Sequence, residues 1–509
     1  MKKFLLAKAF LISLGSSLLF AQGPSIEWQK RIGGSNTDGA SDLQKTSDGG
    51  YIIAGNTFSS NGDVTTNHGG NDVWIVKMSA LGNIQWQKSY GGSSTEAANS
   101  IQQTADGGYI VAGSTSSVDG DVSGYHGGVS DIWVIKLDQS GNIQWQKTYG
   151  GSSTEGVSEI RQTTDGGYII AGRTLSLNGD VTITYGGGDG WIIKTDASGN
   201  IQWQKTYGGS STDNISSIQQ TSDGGYIACG NTISTNGQIT QSFGGGDYWV
   251  IKLDQSGFIQ WQKSYGGSAT ENPSKILQTT DNGYIIAGHS QSTNGQITGN
   301  HGGYDAWIVK IDATGNILWQ KSYGGANNDY CYDICQTSDG GYAVLGIWGT
   351  MISPTTERHD YWITKITSTG DVQWQETFGG AQDDIARAVH QTSDNGYIIA
   401  GSTQSFTTDN NDDAWIIKLN SSTLNTSEKE LSAKLTVYPN PAKDFVNLKN
   451  IPAESVVSII DISGKKLSGQ KYNEKNITIN TSQLIEGTYI IRVENKGKTV
   501  LSEKLIIKK

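Results

Sequence analysis

A tryptophan–glutamine pair returns seven times along the chain, at Trp28, Trp86, Trp145, Trp203, Trp261, Trp319 and Trp374, at intervals of 58, 59, 58, 58, 58 and 55 residues. A period of that length, held over most of a sequence, restricts it to repeat architectures in which each unit buries a face against the next. One unit reads as four short strands. Ser100–Thr104 meets Tyr109–Gly113 across Ala-Asp-Gly-Gly, whose glycines supply the positive φ of a tight hairpin. A polar loop then leads to Asp131–Leu137, and Asp-Gln-Ser-Gly-Asn turns the chain into Ile143–Lys147. Four antiparallel strands cannot close a core alone, but stacked radially they are propeller blades.

Polarity orders the strands within a blade. Tyr-Ile-Ile-Ala-Gly is apolar on both faces and belongs between neighbouring blades. Ile143, Trp145 and Lys147 alternate with glutamines, and their lysine suits an outer edge. The small, polar Ser-Ile-Gln-Gln-Thr strand is then innermost. The array opens on an outer strand, Ile26–Lys30, and finishes on a third strand, Trp415–Lys418, so each end lacks what the other has. Pairing them completes a seventh blade and removes the open edge. The expected fold is all-β: a seven-bladed β-propeller of four-stranded blades over residues 22–424, closed by the N-terminal strand.

Met1-Lys2-Lys3, an apolar run to Phe20 and the Ala21–Gln22 junction have the pattern of a secretory signal spanning residues 1–21 and cleaved before Gln22. No other run approaches the ~20 apolar residues of a membrane-spanning helix. Three cysteines, Cys229, Cys331 and Cys335, are too scattered for a disulfide framework. Of 37 basic and 48 acidic residues, three lysines lie in 1–21, and 14 basic and 9 acidic residues lie in 428–509. Residues 22–427 therefore keep 20 and 39, a net charge of −19. So acidic a surface disfavours nucleic acid or anionic membrane as partner, and suits cations or neutral polyols.

After a linker at 425–434 the repeat pattern is gone. Leu435-Thr-Val-Tyr438-Pro439-Asn440-Pro441, Asp444–Leu448, Ile460–Lys465 with Gly464, Leu484–Val493 with Gly487, and a closing strand 501–508 follow in that order at the extreme C-terminus. Residues 435–509 resemble the C-terminal sorting domain of the type IX (Por) secretion system of Bacteroidetes-type bacteria. The resemblance implies a small Ig-like β-sandwich recognised by the outer-membrane translocon, and a chain that passes through the periplasm to be secreted or held on the outer surface. Within the repeats, Asp138-Gln-Ser-Gly141-Asn-Ile-Gln-Trp145 is similar to pyrroloquinoline-quinone-type repeats, although the first unit has Ser79 in place of the aspartate. Tyr-Ile-Ile-Ala-Gly is similar to the second strand of kelch blades, although a single glycine ends it.

Fourteen of fifteen tryptophans occupy two repeated positions, which points to packing between blades. An aspartate opens every Asp-x-Trp-x-x-Lys strand and another sits in every inner hairpin turn; both read as structural. A third set, Asp38, Glu96, Glu155, Asp213, Glu271, Asp329 and Asp384, follows each Gly-Gly and precedes the innermost strand. It reads either as a set of acceptors for the adjoining loop amides or as a ring at one channel mouth that attracts a polyol or a cation such as calcium. No other cofactor is expected. The symmetry breaks most in the sixth unit, where Ile347–His359 replaces the usual loop, and Trp348, Arg358 and His359, with Arg387 and His390 of the next unit, are the expected specific contacts. Near-identical units repeat one residue at every blade, which favours a secreted or surface binding module for glycan, protein or cation. The alternative is an extracellular propeller enzyme, quinoprotein-like or polysaccharide-active, which needs unlike groups converging on one point.

Overall fold

The computed structural model describes residues 23–353, 355–407, 411–421, 435–461, 465–495 and 498–509. The signal segment with Ala21 and Gln22, the 425–434 linker and Gly464 lie outside them. Two compact units are present, residues 1–422 and 423–509.

The first unit contains seven four-stranded antiparallel sheets. Blade one is Asp38–Lys45, Tyr51–Thr57, Asp72–Met78 and Ile84–Tyr90, in that order from the inside. Five further blades repeat it, and the seventh is made of Asp384–Gln391, Tyr397–Thr403, Asp413–Leu419 and the N-terminal strand Ile26–Ile32. That last pairing, from Ile26 opposite Leu419 to Ile32 opposite Ala414, supplies the missing outer strand. Ala40, Leu43 and Ile53 of blade one share a buried cluster with Ala388, Ile398 and Ala400 of blade seven, so the ring closes.

The repeated residues explain how one blade grips the next. The Trp86 ring packs edge-on against Tyr109 of the following blade, with centroids 5.9 Å apart. A side chain at Gly141, in that blade's outer turn, would collide with the indole, and Tyr90 Oη donates to the Gly141 carbonyl at 2.5 Å. Inside the sheet, Trp74 Nε1 donates to Gln87 at 2.9 Å. Lys77 is buried and gives its protons to Asp48, Gln85 and the Met78 carbonyl, while the Asp48 carboxylate also accepts from Thr46 and from the Gly50 amide. Burial pushes the Asp48 pKa up, but these donors outweigh it and hold the group at about 2. A buried lysine is tolerable only when satisfied in this way.

The second unit packs a three-stranded sheet (Thr436–Tyr438, Phe445–Lys449, Asn476–Asn480) on a four-stranded one (Ser455–Asp461, Lys466–Tyr472, Gly487–Asn495, Lys498–Ile507) around Val446, Leu448, Val457, Ile459, Ile491 and Val493. Asn440, between Pro439 and Pro441, donates to the Lys504 carbonyl and accepts from the Ile506 amide, tying the entry segment to the last strand. Gly487 opens the strand Gly487–Asn495.

Candidate functional site

The seven carboxylates after the Gly-Gly loops do not ring a mouth. Asp38, Glu96, Glu155, Asp213, Glu271, Asp329 and Asp384 are all 0 % exposed. Glu96 accepts from the Gly92 amide at 2.8 Å and from Thr115 Oγ1 at 2.8 Å, and the same pattern holds at Glu155 and Glu271. Each carboxylate anchors its own loop, and a buried acceptor so engaged faces no solvent ligand. Across the first glycine of each loop stands the aspartate of the Asp-x-Trp strand. A Cβ on Gly91 would lie 2.6 Å from Asp72 and 2.7 Å from Glu96, which is why glycine is required there. Among the described residues no group of three or more His, Cys, Asp or Glu side chains forms a metal-ligand set.

The sixth-unit segment Ile347–His359 is not a loop. Tyr342–Ser353 and Thr356–Ile366 form one long hairpin that projects past the other blades, because Trp348, Thr350, Arg358 and Asp360 keep strand pairing where other units turn away. Strand alternation then splits the expected contact residues. Trp348 lies on one face, half-buried, edge-on to Trp362 at 5.5 Å, and Arg358 pairs with Asp360 at 2.9 Å on that same face. His359 is on the opposite face, 3.3 Å from Asp383. His390 is further off still, its Nε2 donating to the Leu43 carbonyl inside the channel at 2.7 Å, where burial drives its pKa to about 3 and keeps it neutral.

His359 and Arg387 both border one surface, made largely by residues absent from the expected set. Tyr304 and Tyr330 lie with centroids 5.2 Å apart, Tyr330 stacks with Tyr332 at 6.5 Å and 18°, and the Arg387 guanidinium sits 4.7 Å over the Tyr332 ring. His289 meets Tyr304 and Tyr330 edge-on, and His359 flanks Tyr330 at 6.2 Å. Burial lowers the His289 pKa to about 4, so the ring is neutral. The hydroxyls of Tyr304, Tyr330 and Tyr332 have no hydrogen-bond partner among the described residues. The equivalent positions of Tyr330 and Tyr332 in blades one to three are Gly39 and Ser41, Ala97 and Asn99, and Gly156 and Ser158. An aromatic wall therefore stands on one side of the loop face, over blades five to seven. Aligning the units column by column exposes it, whereas the glycine-rich loops around it draw the eye to what repeats.

The channel holds a second departure from symmetry, which the near-identity of the units conceals. Six of the seven inner strands carry a β-bulge, and the residue after it points into the channel; the short inner strand of blade four, Ser217–Gln220, pairs without one. That column reads Asp42, Ser100, Glu159, Ser217, Lys275, Asp333 and Ala388. Unlike charges do converge: Glu159 accepts from Lys275 Nζ at 2.6 Å and from Arg161 Nε at 2.8 Å. They line a cavity of about 420 Å³ with Asp42, Asp333 and His390. Yet the carboxylates are also clasps between blades. Asp42 accepts the Ile101 amide, Glu159 the Ile218 amide and Asp333 the Val389 amide, each at 2.8 Å. Burial pushes the Glu159 pKa up, but Arg161 and Lys275 outweigh it and hold the group at about 2. Burial raises Asp333 to about 6 despite Lys275.

Residues 436–508 match the family of secretion system C-terminal sorting domains. They are a type IX sorting domain. The domain addresses the chain through the type IX secretion system to the cell surface or the extracellular space. Over 357 residues the chain is 24 % identical to regulatory protein FlaEY of Caulobacter vibrioides, covering 61 % of this chain and 36 % of that one, so it spans little more than a third of that relative. Among solved structures it is similar to PorZ, a surface component of the type IX secretion system of Porphyromonas gingivalis (12 % identity, 91 % of this chain and 58 % of that one, TM-score 0.37). It is also similar to the extracellular domain of the putative hybrid two-component system BT4673 of B. thetaiotaomicron (12 %, 96 % and 60 %, 0.42) and to the Pan2 WD40 domain of Neurospora crassa (10 %, 78 % and 97 %, 0.44).

Proposed function

We propose that the exported propeller is a non-catalytic recognition module whose loop face, over blades five to seven, binds a neutral glycan. The observation that carries this reading is the tyrosine wall. Three ring faces in sequence, each ending in a hydroxyl without a partner among the described residues, offer apolar surface for the C–H face of a sugar and polar handles for its hydroxyls. Arg387, Asp383 and His359 at its edge add a donor and acceptors for orientation. A net charge of −19 over residues 22–427 favours an uncharged polyol over a phosphate-bearing or sulfated one.

The test is a glycan array probed with the full chain, followed by calorimetry on the best binder with Tyr330→Ala and Tyr332→Ala. The expected result is a loss of at least tenfold in affinity for each variant, ~1.4 kcal/mol, with the melting temperature held. Undiminished binding by both variants would overturn the assignment.

A further inference from the structure

The rim between blades three and four carries a third departure from the repeat. The outer strand of blade three is Ile201–Tyr207, and the outer turn of blade four ends at Phe258. Asparagine stands at the Phe258 position in four other blades, as Asn83, Asn142, Asn200 and Asn316. In two of these four a lysine of the preceding blade uses the asparagine: Lys88 Nζ donates to Asn142 and Lys263 Nζ to Asn316, each at 2.7 Å. Lys321 makes the same reach to Asp371. Lys205 is the equivalent lysine in blade three. With phenylalanine in place of the acceptor, its ammonium lies over the Phe258 ring, 3.1 Å from the centroid, and no oxygen among the described residues accepts from it. Asp254, the nearest acid, is turned to the amides of Ser256 and Phe258 at 2.8 and 2.9 Å and makes no ion pair.

Two more substitutions face the same space. Ile183 replaces Thr66, Gly124, Gln241 and Gly299 of other units, and Tyr185 replaces His68, His126 and His301. Phe258 and Ile183 are each 63 % exposed and Tyr185 is 41 % exposed, although together they line one cavity of about 490 Å³. The remaining polar groups there are committed: Thr206 Oγ1 donates to the Ile183 carbonyl, Tyr207 Oη to the Gly257 carbonyl, and Gln238 Nε2 to Tyr185 Oη. Lone exposed apolar residues need no explanation, but three around one cavity with an unanswered cation at its wall describe a ligand. Desolvation lowers the Lys205 pKa, the mark of an ammonium poorly served by water.

The geometry points to a small-molecule site at this rim for an aromatic carboxylate, its ring held among Ile183, Tyr185 and Phe258 and its carboxylate on Lys205. The site is separate from the tyrosine wall, and neither depends on the other. The probe is 3-phenylpropanoate against the full chain, with 3-phenylpropanamide as its uncharged isostere, read by ligand-observed NMR and calorimetry. The acid is expected to bind at least tenfold more tightly than the amide. Lys205→Gln should erase that preference, and Phe258→Asn should abolish binding of both. Phe258→Asn restores the residue other blades carry, so the ring stays folded, which an unchanged melting temperature checks. Lys147→Gln, the same position one blade earlier, should leave binding unchanged. Equal affinity for acid and amide, binding that survives Lys205→Gln and Phe258→Asn, or no binding at millimolar probe would each overturn the site.

Discussion

Tyr207 and Tyr330 stand for two kinds of position in this ring. Tyr207 is fully buried, ends its outer strand as Tyr90, Tyr149, Tyr265 and Tyr323 do, and donates to the Gly257 carbonyl of the next blade at 2.7 Å. Tyr330 is half-exposed, has small residues as its counterparts in blades one to three, and its hydroxyl has no hydrogen-bond partner among the described residues. Where the blades agree, the residue holds the fold, either blade to blade or loop to strand. Where one or two blades depart, the side chain is released from that duty. The conserved carboxylates belong to the first kind in spite of their charge, and the tyrosine wall, Lys205 and Phe258 to the second.

The largest effect should come from removing wiring that only one strand supplies. Deleting residues 23–32 takes away the partner of Asp413–Leu419, the Trp28–Tyr51 contact and the Glu27 partner of Lys418. Trp28, partly buried against the cluster shared by blades one and seven, is lost with the strand, and the bared edge invites pairing with a second chain. Loss of the cooperative unfolding transition, with association on size-exclusion chromatography, is expected. A stable monomer would mean the ring does not depend on that strand.

Next comes the channel, where wiring and divergence coincide. Glu159→Ala leaves Lys275 and Arg161 without their shared acceptor and the Ile218 amide without a partner. Breaking one side of a buried charge pair costs ~3–5 kcal/mol, to be read by denaturant unfolding. A cost under ~1 kcal/mol would class the cluster with exposed ion pairs and free it for a ligand.

The period, the blade, the strand order and the closing strand were all legible in the sequence, because each follows from spacing and from the two-residue alternation of strands. The sites were legible only in part. Arg387 and His359 stood out as departures and both border the tyrosine wall. Trp348 and Arg358 stood out equally, but the sixth unit continues as a paired hairpin, and alternation turns them to the other face. His390 differs from its counterparts and yet lies in the channel, because the bulge before it sets which residues of the inner strand face inward. Tyr304 and Tyr330 come from different blades, 26 positions apart, and only the ring brings them together. Lys205 and Phe258 are likewise 53 positions apart, and the missing lysine acceptor shows only when adjacent blades are seen side by side.

A smaller effect separates the channel acids by sign. Asp333, raised to about 6, has a folded pKa above its unfolded value of ~3.9. Its contribution is therefore fully present below ~4 and is lost as pH rises through 6, with a slope of at most ~1.4 kcal/mol per pH unit. Glu159, held at about 2, contributes above its unfolded value and loses that contribution as pH falls toward 2. Stability measured from pH 4 to 7 in Asp333→Asn should decline less steeply than in the parent chain, whatever its absolute level. Identical slopes would show that Asp333 ionises normally inside the channel.

The smallest change in stability should belong to the substitution that most sharply divides the two kinds of tyrosine. Tyr207→Phe removes the donor to a buried carbonyl, and an unsatisfied buried acceptor costs ~1–3 kcal/mol. Tyr330→Phe removes a hydroxyl that satisfies no group among the described residues, keeps the ring contacts with Tyr304, Tyr332 and His289, and should alter stability by less than ~0.5 kcal/mol. If the wall binds a sugar, that same variant should weaken binding several-fold, since one hydrogen bond is worth ~1 kcal/mol net, whereas Tyr207→Phe should leave binding alone. Parallel chemical unfolding and calorimetry on the two variants read both quantities. Should Tyr330→Phe destabilise the ring as much as Tyr207→Phe does, Tyr330 would be wiring after all, and the wall would lose the feature that sets it apart from the blades beneath it.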